Sequence, residues 1–231
     1  MTKTVKNYLG VLMSLAFLMT PTLSKAFEGT GMAAGVTMSG HAFETTGKAV
    51  THQSNATTNG DFSEHFFIPS LFFQYTLAAN DRAGITIGAE YVPGAGTFIL
   101  ESKSDTDLDE GTSTTGTKSA EATVENHKAI YIQPTLFIND KTAVFLSAAV
   151  IHADVEMDAK LVTSTNFVRK TDMMGSRFGV GATRILNDGW FVRVEGYFSD
   201  YDSISFTTSD ATTASGTPEA YSGAFSIGRS F

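Results

Sequence analysis

The sequence has no cysteine and few charged residues, and each scarcity excludes a class of protein. Without cysteine, the 231-residue chain can form neither a disulfide framework nor a thiolate site. Charged residues make up 17% of the chain, below the roughly 25% typical of soluble domains. Acidic residues outnumber basic ones, 24 to 16, which argues against a nucleic-acid partner because phosphate binding needs clustered Lys and Arg. No dinucleotide fingerprint, P-loop or zinc-ligand spacing is present, so the sequence predicts no cofactor and no metal site.

Long hydrophobic runs are also missing, apart from one stretch at the start of the chain. Residues 8–19 form a 12-residue apolar core that follows Lys3 and Lys6, too short for the roughly 20 residues of a transmembrane helix. Ser24 and Ala26 supply the small residues of a signal-peptidase site, so we predict a signal peptide that is cleaved after Ala26 on export. The mature domain, residues 27–231, then keeps 13 basic and 24 acidic residues, a net charge of −11.

The mature domain is predicted to be all-β, with three tight hairpin turns. Three Asn-Asp pairs each lie between two apolar runs, and both residue types tolerate the left-handed backbone that such turns require. The predicted turn residues are Asn80, Asp81, Asn139, Asp140, Asn187 and Asp188. A further strand at each end of the domain brings the total to eight, at residues 35–43, 66–77, 84–92, 129–138, 142–151, 176–186, 190–198 and 221–231.

Four long polar segments alternate with these short turns. They are rich in Thr, Ser, Gly and Asp, a composition that predicts weakly ordered loops. The segments are residues 44–61, 101–125, 154–174 and 199–220. Short turns at one end and long loops at the other are typical of an eight-stranded antiparallel up-and-down transmembrane β-barrel, with periplasmic turns and extracellular loops.

Period-two alternation within the strands supports the same architecture. In residues 84–92, Ile85 and Ile87 share one face while Thr86 and Glu90 share the other. A strand in lipid presents its apolar face outwards and its polar face to the barrel interior. Pro69 and Pro134 interrupt this regularity. Because proline cannot donate to the ladder, each is expected at a bulge or at an unpaired position.

Five ionisable residues are predicted to face the lumen: His41, Glu90, Arg177, Arg193 and Glu195. Buried charge is costly unless it is paired, so we expect the two arginines to engage Glu90 and Glu195 as an ion-pair network. The lumen of an eight-stranded barrel is just wide enough for side chains to fill. A structural plug is therefore the favoured interpretation, and a gate that controls a narrow conductance is the alternative.

Aromatic residues are concentrated towards both ends of the predicted strands. We interpret the two groups as the aromatic girdles that flank the lipid-facing band of outer-membrane barrels. The group near the short turns is Phe72, Phe73, Tyr75, Trp190, Phe191, Phe225 and Phe231, and the group near the long loops is Phe66, Phe67, Tyr91, Phe198 and Tyr201.

Two C-terminal segments carry a resemblance to a known family. Tyr221, Phe225, Ile227 and Phe231 lie on one side of the last strand and resemble the C-terminal signal recognised by the barrel assembly machinery. Residues 177–201, RFGVGATRILNDGWFVRVEGYFSDY, resemble the penultimate hairpin of the OmpA-like and opacity-type small β-barrels. The resemblance implies a barrel-only, monomeric protein of the Gram-negative outer membrane. Its implied partners are outer-membrane lipids, lipopolysaccharide and the assembly machinery.

These features predict a structural or surface-exposed envelope protein, or a weakly porin-like one. One alternative is a lipid-modifying enzyme of the deacylase type. His152 and Asp154 share one strand face near the loop end and Ser147 has the other parity, but the partners of a hydrolase triad need only meet in space. The other is a soluble lipocalin-like barrel, which would bury its apolar residues inside and expose its polar ones.

Overall fold

The computed structural model describes residues 27–51, 56–109, 112–160, 167–207 and 212–231. The predicted signal peptide, residues 1–26, lies outside the described residues. Within the described ranges, no helix has the length and apolar character needed to cross a membrane. The described strands are β1 (Gly31–Thr51), β2 (Ala56–Asn80), β3 (Ala83–Tyr91), β4 (Ala95–Asp109), β5 (Thr112–Phe137), β6 (Thr142–Lys160), β7 (Phe167–Ile185), β8 (Trp190–Tyr201), β9 (Ile204–Thr207) and β10 (Thr212–Ser230).

Eight of these strands form a closed antiparallel ring. Their order around the ring is β1, β2, β3, β5, β6, β7, β8 and β10, and β10 pairs back onto β1. The closing ladder runs from Ala33 opposite Ser230 to Thr51 opposite Thr212. The two remaining strands add to the ring, since β4 pairs with β5 and β9 pairs with β10. The predicted all-β, eight-stranded up-and-down barrel is therefore confirmed.

The long polar connections are built mainly as strand rather than as irregular loops. β1 continues to Thr51 and β2 begins at Ala56, while most of residues 101–125 pair in the β4–β5 hairpin. Thr97 Oγ1 and Thr123 Oγ1 lie 3.0 Å apart across that hairpin. Threonine favours strands because its β-branched side chain fits a pleated surface, and cross-strand Thr pairs stabilise the ladder. The Thr-rich composition therefore extends the hairpins beyond the ring.

The short connections lie at the opposite end of the barrel and use the predicted Asn-Asp pairs. Asn80 Oδ1 accepts a hydrogen bond from the backbone N–H of Arg82 at 2.8 Å. Asn139 Oδ1 accepts the equivalent bond, from the N–H two residues on, at 2.9 Å. In the third turn Asp188 and Gly189 have φ angles of 58° and 77°. These values lie in the left-handed region, which Asp and Gly tolerate better than most residues.

On one side of its strand, each proline lies where the ladder has no residue pair. Pro69 precedes the β2–β3 ladder, which begins at Leu71. Pro134 lies in a gap of the β5–β6 ladder, which passes from Ile132 to Thr135 without a pair between them. In its other ladder each proline has a register partner, Met38 for Pro69 and Ile85 for Pro134, so the predicted unpaired position is found on one side of each strand only.

Alternation divides the side chains between the interior and the outer surface. Arg193 is 5% exposed and its neighbour Val194 is 54% exposed; Thr86 and Ile87 differ in the same way, at 4% and 50%. The outward large apolar residues surround the ring, and we call them the apolar band. The band consists of Met32, Val36, Met38, Phe67, Leu71, Phe73, Tyr75, Leu77, Ile87, Tyr91, Ile130, Val144, Leu146, Val150, Met174, Val180, Val194, Tyr221, Phe225 and Ile227.

Candidate functional site

The interior of the barrel is the candidate functional site because it collects the buried polar side chains of the described residues. Buried polar groups normally need hydrogen-bond partners, so their contacts show how the interior is organised. The buried polar and charged residues are Ser39, Ser70, Gln74, Thr76, Thr86, Gln133, Thr135, Ser147, Arg177, Arg193, Ser199 and Ser226.

Glu90 on β3 and Arg177 on β7 form an ion pair across the lumen. Arg177 Nη2 lies 2.7 Å from Glu90 Oε2, and the two side chains are only 7% and 11% exposed. Ser70 Oγ donates to the other carboxylate oxygen at 2.6 Å, and the Arg177 guanidinium lies over the Tyr197 ring, 4.7 Å from its centroid. Both charges are thus paired and further contacted, the condition under which a buried ion pair is tolerated.

Arg193 on β8 contacts Gln74 on β2 instead of the expected Glu195. Its Nη2 donates to Gln74 Oε1, and the Tyr131 hydroxyl donates to the same oxygen at 3.1 Å. Three aromatic faces complete the surroundings of the guanidinium, at 4.8–5.7 Å from their centroids, within the range of cation–π attraction. These rings belong to Phe72, Phe145 and Phe191. Arg193 and Glu195 project side by side from one strand face, so Arg193 finds its partner on the opposite wall.

Glu195 forms no ion pair with another described residue. Its Oε1 and the Nε atoms of Arg177 and Arg193 are buried and have no hydrogen-bond partner in the protein. All three residues line a cavity of about 20 Å³, enough for about one water molecule. A cavity of this volume has no room for a solute larger than water.

His41 on β1 has hydrogen-bond partners on β1 and β10, and its ring lies 6.0 Å from that of Tyr197, the residue that contacts Arg177. Ser39 Oγ lies 2.9 Å from Nε2 and Ser222 Oγ lies 2.8 Å from Nδ1. The Phe66 ring stacks on the imidazole with centroids 5.3 Å apart. Both ring nitrogens therefore have partners, which fixes the orientation of the imidazole in the wall.

An apolar cluster closes the lumen at the short-turn end. Phe27 stacks on Phe137 with ring centroids 4.7 Å apart. Between this cluster and the Arg193 layer lies a second cavity of about 20 Å³, and Arg193 and Gln133 line both cavities. The remaining members of the cluster are Ala33, Phe72, Ala143, Ile185 and Phe191. The interior is therefore divided into small compartments along its axis.

The aromatic residues predicted as two girdles divide between the two faces of the wall. Phe72 and Phe191 are 5% and 1% exposed, and their ring centroids lie 6.0 Å apart inside the barrel. Tyr201 also packs against interior apolar clusters. The girdle interpretation is wrong for these three residues because it used position along the strand and ignored parity. It is wrong for Phe66 as well, which has the inward parity of Ser70 and Phe72 and stacks on His41. The outward aromatics are Phe67, Phe73, Tyr75, Tyr91, Trp190, Tyr221, Phe225 and Phe231.

The residues of the predicted C-terminal signal face outwards. Tyr221, Phe225, Ile227 and Phe231 are 41–72% exposed. The backbone N–H of Phe231 donates to the carbonyl of Met32 at 2.9 Å. The last residue is thereby tied to the first strand, and the four apolar side chains lie along the seam that closes the barrel.

The candidate hydrolase residues lie on opposite faces of β6. Ser147 is 2% exposed and points into the lumen. His152 and Asp154 have the outward parity, five and seven residues further along the same strand. The wall of the barrel therefore separates the hydroxyl from the imidazole, and the three residues do not form a triad.

Gln74 is the interior residue that sequence reasoning missed. It lies in a nearly continuous apolar run, residues 66–77, in which no alternation is visible. Counting outwards from Ser70 in steps of two places Phe72, Gln74 and Thr76 on one face, and all three are buried. The polar residues Ser70, Gln74 and Thr76 of this run could have shown which of its faces points inwards.

Comparison with known proteins yields structural similarity without sequence similarity. No protein-family model matches the chain, and no curated protein matches it. Ail, the attachment invasion locus protein of Yersinia pestis, is similar in structure with a TM-score of 0.37 and 8% identity over 83% of this chain and 98% of Ail. The outer membrane protease OmpT of Escherichia coli gives 0.44 and 10% over 91% and 99%, and neisserial surface protein A gives 0.33 and 7% over 84% and 97%. Identities this low assign none of these proteins' activities to this chain.

Proposed function

We propose that the protein is an integral outer-membrane β-barrel with a closed lumen, which serves as a structural anchor and presents its long strand extensions at the cell surface. The observation that carries the proposal is the apolar band, which faces outwards around a ring whose described interior buries twelve polar or charged residues, two of them arginines. Soluble monomers rarely expose apolar patches larger than a few hundred Å². In a bilayer such a band is the stable arrangement, because a closed sheet pairs its backbone groups internally.

The two alternative functions lack comparable support. A lipocalin-like carrier needs an interior ligand cavity of roughly 300 Å³ or more, whereas the described interior cavities measure about 20 Å³ each. A lipid-modifying enzyme of the kind considered above needs its nucleophile next to its base, and β6 places Ser147 and His152 on opposite faces. A non-enzymatic role therefore fits the described residues best.

Location and partners follow from the same proposal. We infer export through the predicted signal peptide, residues 1–26, and insertion with the short turns on the periplasmic side. Outer-membrane lipids and lipopolysaccharide would surround the apolar band of a monomeric barrel. The assembly machinery would recognise the outward seam during insertion; the seam consists of Tyr221, Phe225, Ile227 and Phe231. Separately, the sequence of the hairpin at residues 177–201 supports membership of the OmpA-like and opacity-type barrels.

Solubility tests the proposal directly. We expect the protein without residues 1–26 to remain monodisperse only in detergent or lipid, because the apolar band has no cover in water. We also expect folded and heat-unfolded forms to migrate differently on a denaturing gel, measured with and without boiling. A chain that stays monomeric in buffer by size-exclusion chromatography would contradict the membrane assignment.

A closed interior predicts the absence of conductance. In planar lipid bilayers we expect no single-channel steps from the wild-type barrel, because the cluster around Phe27 and the layer around Arg193 both interrupt the lumen. Arg193→Ala should also remain silent, since Phe27 and Phe137 still close the short-turn end. Regular openings in the wild type that change in Arg193→Ala would support the gate alternative.

A further inference from the structure

The outer surface of β6 and β7 carries a group of metal-ligating side chains just beyond the apolar band. Val150, a member of the band, is followed on the outward face of β6 by His152 and then by Asp154. Asp172 on β7 is the register partner of Asp154. Directly opposed residues of antiparallel strands share a face, so the three side chains are neighbours on the outside of the barrel.

The spacing of the donor atoms fits a shared ion. One ring nitrogen of His152 and one carboxylate oxygen from each of Asp154 and Asp172 all lie within 4.8 Å of one another. His152 Nδ1 is 4.0 Å from Asp154 Oδ1, beyond hydrogen-bond range. That nitrogen is nevertheless buried and has no hydrogen-bond partner in the protein. A buried imidazole nitrogen directed at a carboxylate with a gap between them suits an atom bound by both.

A neighbouring bulge holds one of the carboxylates in place. The β5–β6 ladder is irregular between Glu125 and Lys128, and Asn126 within it has a φ of 51°. The Asn126 side-chain Nδ2 donates to Asp154 Oδ2 at 2.7 Å. This bond leaves Oδ1 to face His152. A hydrogen bond that orients a ligating carboxylate from behind is a regular feature of metal sites.

The charges around the group favour a cation. Glu125 opposes Asp154 on β5, so one row across three strands holds three carboxylates with Asp172. Lys170 lies on the long-loop side of this row, and its Nζ is 2.6 Å from Glu156 Oε2, with which it forms an ion pair.

One further cation, Lys128, lies on the side of the group nearer the apolar band. Lys128 opposes His152 on β5 and is exposed. It forms no ion pair with the described carboxylates. With Lys170 bound to Glu156, the row keeps a net negative charge even when Lys128 is counted.

We propose that His152, Asp154 and Asp172 bind one divalent transition-metal ion, with Zn²⁺ as the best-fitting candidate. Mixed imidazole and carboxylate ligands suit zinc, whereas Ca²⁺ and Mg²⁺ take oxygen ligands almost entirely. Zinc bonds of about 2.0–2.2 Å require donor atoms roughly 3–4 Å apart, which small side-chain rotations provide from the present spacing. Solvent molecules complete the coordination on the exposed side. The proposal is independent of the barrel's membrane location.

Calorimetric titration of the refolded barrel in detergent with Zn²⁺ tests the site. We expect one saturable site per chain that survives an excess of Mg²⁺. Asn126→Gly, which keeps the left-handed backbone, should weaken binding by about 10- to 100-fold, the usual effect of losing an orienting group. His152→Ala and Asp172→Asn should weaken it further. His65→Ala, which removes an exposed histidine of β2, is the matched control and should leave affinity unchanged.

Chemical protection of the wild-type barrel gives a second test that needs no variant to fold. Zn²⁺ should protect His152, but not His65, from diethyl pyrocarbonate, as measured by peptide mass spectrometry. The site would be overturned by non-saturable binding, by unchanged affinity in His152→Ala, by equal competition from Mg²⁺, or by the absence of selective protection.

Discussion

Val194→Arg is expected to destabilise the barrel in lipid vesicles by about 2–4 kcal/mol, the cost of an arginine near the bilayer midplane. Val194 is 54% exposed at the centre of β8 and pairs with Ala182 and Phe225 on either side. In the proposed outer-membrane barrel, this outward position puts any substituent into hydrocarbon. The free energy of unfolding, from equilibrium urea denaturation in vesicles, measures the effect.

Val168→Arg is the matched control for this measurement. Val168 is equally exposed, at 54%, and outward, but it lies opposite Asp158 on the strand extensions beyond the apolar band. Its replacement should cost about 0–1 kcal/mol because the arginine stays near water. Similar small costs at both positions would mean that the outer surface of the barrel faces water throughout.

Most of the fold could be predicted from the alternation of polar and apolar side chains within single strands. Thr86 and Glu90 against Ile85 and Ile87, repeated in several other strands, showed which face of those strands lies inside, whereas β2 showed no visible alternation. A period of exactly two residues is a local property, so it is readable without tertiary information. The Asn-Asp turns were equally local, since Asn80 and Asn139 bond the backbone of their own turns.

Contacts across the lumen could not be read in the same way. Which inward residue meets which depends on the stagger of the strands around the ring, and that stagger is set by closure of the whole sheet. Arg177 meets Glu90 as expected, but Arg193 meets Gln74 from the far wall. A pattern within one strand contains no information on which residue of another strand it meets across the lumen.

The same limit hid the candidate metal ligands. His152 and Asp154 are separated by one residue, but Asp172 comes from the next strand and Asn126 from a bulge in the previous one. No fixed spacing in sequence describes such a set. The prediction of weakly ordered loops for the Thr-rich polar segments was wrong for another reason. Low hydrophobicity predicts weak order, but threonine pairs across the strands extend the hairpins.

Glu90→Gln is expected to cost about 3–5 kcal/mol of unfolding free energy, because it leaves the Arg177 guanidinium buried without its charge partner. Arg177 is only 7% exposed, so water cannot replace the carboxylate. Arg177→Met should be similarly costly, since it leaves Glu90 with only the hydroxyl of Ser70. Equilibrium denaturation in detergent or vesicles provides each value.

The double variant Glu90→Gln with Arg177→Met separates pairing from packing. Since both charges disappear together, we expect its cost to be well below the sum of the single costs, and a double-mutant cycle gives the interaction energy. Arg184→Met, an outward arginine on the same strand, is the control and should change stability by about 0.5 kcal/mol or less. Strictly additive single costs would mean that Glu90 and Arg177 contribute separately, and that the lumen is held by the aromatic contacts around Arg193 instead of by this ion pair.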